Sequence, residues 1–173
     1  RDGSAWNDLG LAHAALGHPH EARQAFESAE RLAPTPETIY NLGRSSVESG
    51  RYQEAVSAYR TALERDPGFA EAALNLSALQ LQEGHAPSAV LTLKQALEVS
   101  PDRGDIRLAL ANAYLLIQEP ESARRAYEEA TADPIQRAAA TVGLGNLALA
   151  AGDTVVAIDH YRDAIRQNAE IAD

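Results

Sequence analysis

The chain contains no cysteine. That excludes a disulfide framework and any thiolate metal site, but leaves both reducing and oxidising compartments open. Methionine is absent as well, even at position 1, so the chain reads as a processed or excised piece of something longer. Any leader would then lie outside it. Lysine is nearly absent: Lys94 is the only one, and Arg carries almost all of the basic charge, a bias that together with abundant alanine hints at a GC-rich bacterial genome. The 15 basic residues are outnumbered by 25 acidic ones, for a formal net charge of -10, and no cluster of Lys or Arg forms. Nucleic-acid binding, which needs a basic face to meet phosphates, is excluded, and so is a polybasic membrane anchor. No apolar run approaches the roughly 20 residues of a membrane-spanning helix. Localisation stays undetermined, a soluble chain of cytoplasm or periplasm fitting equally well.

What the chain does have is repetition, the first pattern to seek. Ala22, Ala55, Ala89, Ala123 and Ala157 are separated by one step of 33 residues and then by steps of 34. Ala29, Ala62, Ala96, Ala130 and Ala164 keep the same steps, and a large column runs between them: Phe26, Tyr59, Leu93, Tyr127, Tyr161. Gly17, Gly50, Gly84 and Gly152 mark a recurring turn, with Gln118 at the fourth place. A further column of small residues, Gly10, Gly43, Ser77, Ala111 and Gly145, falls inside helical stretches, where glycine costs roughly 1 kcal/mol relative to alanine.

Each copy reads as two helices. Tyr52, Ala55, Val56, Tyr59, Ala62 and Leu63 make one apolar stripe at helical spacing. Asp66-Pro67-Gly68 ends that helix, and Pro34, Pro101 and Pro134 punctuate other copies similarly. Pro19, Pro87 and Pro120 suit the first turn of a second helix. No period-2 segment suggests a strand. The reading is all-α, with about ten antiparallel helices. The small columns face across each pair and let two backbones approach closely, while Trp6, Phe26 and Tyr59 fill the space beside them.

The pattern resembles the tetratricopeptide repeat. Trp6, Leu9, Gly10, His13, Gly17, Ala22, Phe26, Ala29 and Pro34 carry nearly its whole signature. Ser77 and Ala111 depart from it where glycine is usual, Gln118 replaces a turn glycine, and the last copy lacks its closing proline. The resemblance implies a right-handed superhelix, an α-solenoid, of five tandem repeats at about 3–35, 36–69, 70–103, 104–136 and 137–170, a single array over 1–173. It also implies that the first helices of the repeats line a concave groove.

On the groove side of those helices the periodicity places Asn41, Arg44, Leu74, Asn75, Leu81, Leu108, Asn112, Leu115, Asn146 and Leu149, with Asn7, Leu11, Tyr40, Val47, Leu116 and Val142 beside them. An asparagine in every copy from two to five offers both a donor and an acceptor to a peptide backbone. The leucines suit the apolar side chains of an amphipathic or extended segment, or pack against the neighbouring helix. The two-lysine carboxylate clamp of some such repeats is not matched: Asn7, Glu71 and Asn75 hold its basic positions, Leu11 replaces an asparagine, and Asn41 alone agrees. Glu37, Glu71 and Asp105 form an acidic row at helix starts, where the helix dipole favours carboxylates.

His13, His18 and His20 lie close in sequence but lack further ligands, and His20-Glu21 begins a zinc-protease motif without its second histidine. His160 has no nucleophile beside it, and no phosphate-binding glycine loop occurs. The chain is therefore read as no enzyme and without cofactor or metal: a scaffold whose partner is a protein or peptide, held in the groove. Two alternatives share that surface: a substrate-recruiting domain of a larger glycosyltransferase- or sulfotransferase-like enzyme, and a segment of a bacterial envelope assembly or export protein. Ile165 and Ile171 on the last helix have no capping helix after them, which implies self-association through the C-terminal repeat or contact with a sixth repeat.

Overall fold

A computed structural model describes residues 2–172, with side chains as far as residue 168; Arg1, Asp173 and the side chain of Ile171 lie outside the described residues. The described residues form ten α-helices and no strand, so the chain is all-α. It divides into two compact units, Arg1–Glu83 and Gly84–Asp173. The first holds α1 (Gly3–Ala15), α2 (Pro19–Leu32), α3 (Pro36–Glu48), α4 (Tyr52–Arg65) and α5 (Ala70–Gln82). The second holds α6 (Ala86–Val99), α7 (Gly104–Leu116), α8 (Pro120–Ala130), α9 (Arg137–Ala150) and α10 (Thr154–Ala172). In unit one α1 packs on α2, α3 on both α2 and α4, and α5 on α4. In unit two α7 packs on α6 and α8, and α9 on α8 and α10.

Local chemistry sets the helix limits. Asp2 accepts a hydrogen bond from the Ser4 N–H at 3.1 Å and Thr35 accepts one from Thr38 N–H at 3.2 Å, each satisfying a donor of an otherwise open first turn. Proline opens α2, α3 and α8 with its fixed φ and missing N–H. The tight turns between paired helices are built alike. In α1–α2, Gly17 N–H bonds to Ala14 carbonyl at 3.0 Å and His18 N–H to His13 carbonyl at 2.9 Å. The same two bonds recur from Gln118 and Glu119 at 3.1 and 2.9 Å, and from Gly152 and Asp153 at 3.0 and 2.9 Å. This is the Schellman closure, which needs a left-handed residue at its centre. Gly17 supplies it at φ 72°, whereas Gln118 is forced to φ 61° with a side chain attached.

Between the paired helices the small columns touch rings. A Cβ added to Gly10 would lie 2.5 Å from Phe26, one on Gly43 2.6 Å from Tyr59, and one on Gly145 2.7 Å from Tyr161. Gly143 makes the same kind of contact from the other side, where an added Cβ would run into the ring of Tyr127. Tyr127 also shares a buried cluster with Ala111, Ala123 and Ala130. Phe26 and Tyr59 are 2% and 1% exposed, and Ala22, Ala55, Ala89 and Ala123 are fully buried. Trp6 differs from its expected role as a filler of this layer: it is 42% exposed. The physical reason is position. Among the described residues no helix precedes α1, whereas α2 packs on α3 and α8 on α9.

Two stability changes follow. Gln118→Gly should stabilise the chain by about 1 kcal/mol, since a left-handed residue with a Cβ costs roughly that much; a raised urea midpoint at unchanged m-value checks it. Ala55→Leu or Ala123→Leu should overpack the helix–helix contact and destabilise by about 1–3 kcal/mol, read as a lowered midpoint in the same measurement.

Candidate functional site

The groove-side residues named from the sequence fall in both units, and each set has its own construction. In unit one, Asn41 of α3 donates from Nδ2 to Asn7 Oδ1 of α1 at 3.2 Å. One repeat further on, Asn75 of α5 donates from Nδ2 to the Tyr40 hydroxyl at 3.1 Å. Tyr40 is itself wedged against two rings, 5.6 Å from Tyr59 and 4.9 Å from Phe69 between centroids, both tilted. Thus each of these two carboxamides bridges neighbouring first helices. Leu74 and Leu81 lie half-buried on the same helix as Asn75. Arg44 is exposed and reaches only a solvent-facing Glu48 at 3.9 Å, so its guanidinium stays accessible.

In unit two the asparagines are held differently. The Tyr127 hydroxyl donates to Asn112 Oδ1 at 2.5 Å, and the Tyr161 hydroxyl donates to Asn146 Oδ1 at 2.8 Å. Each pair spans the two helices of one hairpin. The carboxamide oxygen is engaged, which turns the NH2 group outward. Asn112 and Asn146 are exposed, and beside them Leu115 is 37%, Leu149 51% and Val142 40% exposed. Leu108 is different again: it is half-buried and packs against the cluster containing Tyr127 and Leu144. Burial raises the pKa of the Tyr127 and Tyr59 phenols above the usual tyrosine value of 10.0, so both remain hydroxyl donors at neutral pH.

This tyrosine–asparagine pairing was not anticipated, although a signal for it exists. Asn112 and Tyr127, and Asn146 and Tyr161, are both 15 residues apart. Where the ring lacks a hydroxyl, as in Phe26, or is replaced by Leu93, the residue 15 earlier is Leu11 or Ala78, not a carboxamide. At the same offset before Tyr59 stands Arg44.

The recesses offer little to a small ligand. One beside Asn41, lined also by Leu11, Phe26 and Arg44, holds about 10 Å³, room for a single water at most. Larger open recesses lie elsewhere: about 380 Å³ among α6, α7 and α8, lined by Lys94, Tyr114, Arg125 and Glu129, and about 300 Å³ among α2, α3 and α4, lined by Glu27, Glu30 and Glu54. The sequence reading did not mark them, because they arise where three helices fail to close. Among the described residues no group of three or more His, Cys, Asp or Glu is gathered as a metal would require, and no helix is long and apolar enough to cross a membrane. His13 and His18 stand with ring centroids 5.9 Å apart, and His20 falls in the first turn of α2.

Glu37, Glu71 and Asp105 all fall in first turns, of α3, α5 and α7. Asp105 is bound by the Arg103 guanidinium through two hydrogen bonds of 2.9 and 2.7 Å and accepts a third from Ile106 N–H at 2.9 Å. The Arg103 hydrogen bonds, foremost, hold its carboxyl below the ordinary value of 3.8. A carboxylate whose pKa is lower folded than unfolded adds stability that is complete above the unfolded value and disappears as the pH falls through the folded one. The pair is partly solvated, so Arg103→Ala should cost under about 1 kcal/mol at pH 7. That difference from wild type should vanish well below the 3.8 of a free aspartate, as urea titrations across pH would show.

Residues 3–36, 40–103 and 80–142 match family models described as tetratricopeptide repeat. Among solved structures, MamA from Desulfovibrio magneticus RS-1 (residues 41 to its end) is 20% identical, with a TM-score of 0.83 over 97% of this chain and 96% of that one. At that identity the likeness is one of fold. TTC0263, a thermophilic TPR protein of Thermus thermophilus, is 25% identical, with a TM-score of 0.67 over 95% of this chain and 91% of that one. A peroxisomal targeting signal receptor of Saccharomyces cerevisiae is 45% identical over 53 residues, which are 30% of this chain and 9% of the receptor. With the repeated small-on-ring contacts of the helix pairs and these matches together, the chain belongs to the tetratricopeptide repeat family.

Proposed function

We propose that the chain is a protein–protein interaction scaffold that holds a peptide or helix of its partner against the first helices of its repeats. The observation that carries this reading is the state of Asn112 and Asn146. Their oxygens are occupied by Tyr127 and Tyr161, and both side chains are exposed. What they present outward is a fixed NH2 donor, matched to a backbone carbonyl. Orienting the amide beforehand removes part of the ordering cost of binding. Leu115 and Leu149, exposed beside them, supply apolar surface for alternate side chains of an extended segment or one face of a helix. In unit one the corresponding contacts fall to Asn41, Arg44, Leu74, Asn75 and Leu81, where Arg44 adds a positive charge to a chain that is otherwise acidic. In unit one α3 and α5 carry these residues, and in unit two α7 and α9.

A substrate-recruiting domain of a larger enzyme would use the same outward NH2 groups to hold a substrate chain, and an envelope assembly or export protein would use them on a component. Both settings share the physical activity proposed here. Self-association through the last repeat is a separate reading, carried by different residues.

The test is a screen of synthetic extended and amphipathic peptides against the chain by fluorescence anisotropy. For the best binder, the triple change Asn112→Ala/Leu115→Ala/Asn146→Ala should weaken affinity at least about tenfold, or about 1.4 kcal/mol. Leu91→Ala/Val99→Ala, which alters two exposed apolar residues of α6, should leave it unchanged. Equal binding by the triple variant and wild type would remove this surface as the docking site.

A further inference from the structure

The recess of about 380 Å³ in unit two is a trough with α6 and α8 as its sides and α7 as its floor. Leu110 and Ala126 at its base are 7% and 5% exposed, and half-buried Leu97 continues the apolar surface. The rim is charged, with Lys94 and Glu98 on α6 and Arg125 and Glu129 on α8. On each helix the base precedes the acid by four residues, the weaker order for an intrahelical pair, and neither pair forms among the described residues. Glu129 is instead drawn across to Arg107 of α7 at 3.1 Å. The Tyr114 ring packs on the cluster around Tyr127, and its hydroxyl has no hydrogen-bond partner among the described residues.

Unpartnered cations are rare in this chain. Among the described residues every arginine and lysine makes an ion pair or a hydrogen bond except Arg60, Lys94 and Arg125. Lys94 and Arg125 stand on this one rim, on different helices, and both are exposed. The excess of positive charge is not a property of the repeat. The recess of about 300 Å³ among α2, α3 and α4 is built at the same register, with Leu42 in the place of Leu110 and Ala58 in that of Ala126. There Glu27 and Ser57 hold the places of Lys94 and Arg125, and Arg23 is ion-paired with both Glu27 and Glu54. The acidic recess of unit one thus contains a counter-charge of its own, and the basic rim of unit two has none.

We propose that the trough of unit two docks a helix of a partner protein that carries a carboxylate side chain one turn from a large apolar one. Lys94 and Arg125 neutralise the carboxylate, the Tyr114 hydroxyl donates to it, and the apolar side chain lies on Leu97, Leu110 and Ala126. A groove between two helices receives a ridge of residues three and four apart, which is the spacing that puts both side chains on one face of the incoming helix. A singly charged carboxylate suits the site better than a phosphate, whose charge of about −1.5 to −2 the exposed Glu98 on the same rim would repel. Lys94 and Arg125 are far apart in sequence, so no basic cluster is visible there. The site uses none of the asparagines or leucines assigned to partner binding above, and it stands or fails independently of that function.

Amide NMR of the isotopically labelled chain in low-salt buffer tests it. The probes are a panel of alanine-based helical peptides, each with one glutamate and one leucine three or four residues apart. The best of them should give saturable shifts at the amides of α6 and α8. Changing its glutamate to glutamine, or the chain to Lys94→Ala/Arg125→Ala, should weaken binding about threefold to tenfold, the range of two exposed ion pairs. Lys94→Glu/Arg125→Glu should reject the glutamate peptide and take up its lysine counterpart. That reversal needs a folded chain, so a folding defect cannot imitate it. Isovalerate, a free carboxylic acid with the apolar end of leucine, should give no saturable shift at millimolar concentration. Glutamate and glutamine peptides that bind alike overturn the proposal, as does a panel that leaves these amides unshifted at millimolar concentration. Isovalerate binding as tightly as the peptide overturns it by making the recess a site for small acids. Shifts confined to the surroundings of Asn112 and Asn146 overturn it by assigning the peptide to the other surface.

Discussion

The contact on which the rest depends is a ring set against a helix backbone where a side chain is missing. Phe26 rests on Gly10, Tyr59 on Gly43 and Tyr161 on Gly145, at separations that leave no room for even a methyl group. The local cost of a mid-helix glycine is offset because the ring then sits in close contact on both sides, in an interior packed at crystal-like density. Buried alanines above and below, such as Ala22 and Ala29, keep the rest of the second helix equally near. Once one pair is nested so closely, its outer side chains are placed to receive the next first helix, as Gly143 is received by Tyr127. Aromatic content of only 5% suffices because a hairpin uses at most one ring at this place, and in the third copy the buried Leu93 takes it.

The same rings link packing to the proposed binding surface. Tyr127 is at once the core ring of its hairpin and the donor that orients Asn112. Burial keeps its phenol protonated, so the orientation persists across physiological pH. The carboxamide row is thus neither a set of free polar side chains nor a purely structural one. One atom of each group belongs to the fold and the other is available to a ligand. In unit one the carboxamides instead tie neighbouring first helices together, Asn41 to Asn7 and Asn75 to Tyr40. Similar-looking residues therefore serve different ends, because Asn41 and Asn75 stand three residues earlier in the repeat register than Asn112 and Asn146 and so on another side of the first helix.

Repetition also explains the character of the two ends. In a repeat array each unit buries its neighbour's apolar side, so the first and last expose what the interior ones hide. Leu9 and Leu76 are the same residue in the same register, yet one is 43% exposed and the other 3%. The difference has no local cause: α4 packs on α5, whereas no helix is described before α1.

Composition and periodicity by themselves determined the all-α class, the two helices of each copy, the turns that join them and the identity of the buried columns. These are short-range properties: helical spacing, a proline's missing N–H, a left-handed turn residue and the size of a side chain all act within a few residues. Where Trp6, Leu108 and the asparagines stand was decided only by the tertiary structure. Trp6 has every sequence mark of a core residue yet stands 42% exposed on α1, before which no helix is described. Leu108, in a column assigned to a ligand, is half-buried against the cluster containing Tyr127 and Leu144. Asn112 is a bifunctional amide in the sequence and a fixed donor in the fold, because its oxygen meets the Tyr127 hydroxyl of another helix. Burial and hydrogen-bond partnership depend on atoms distant along the chain, and those distances are fixed only once the helices have packed.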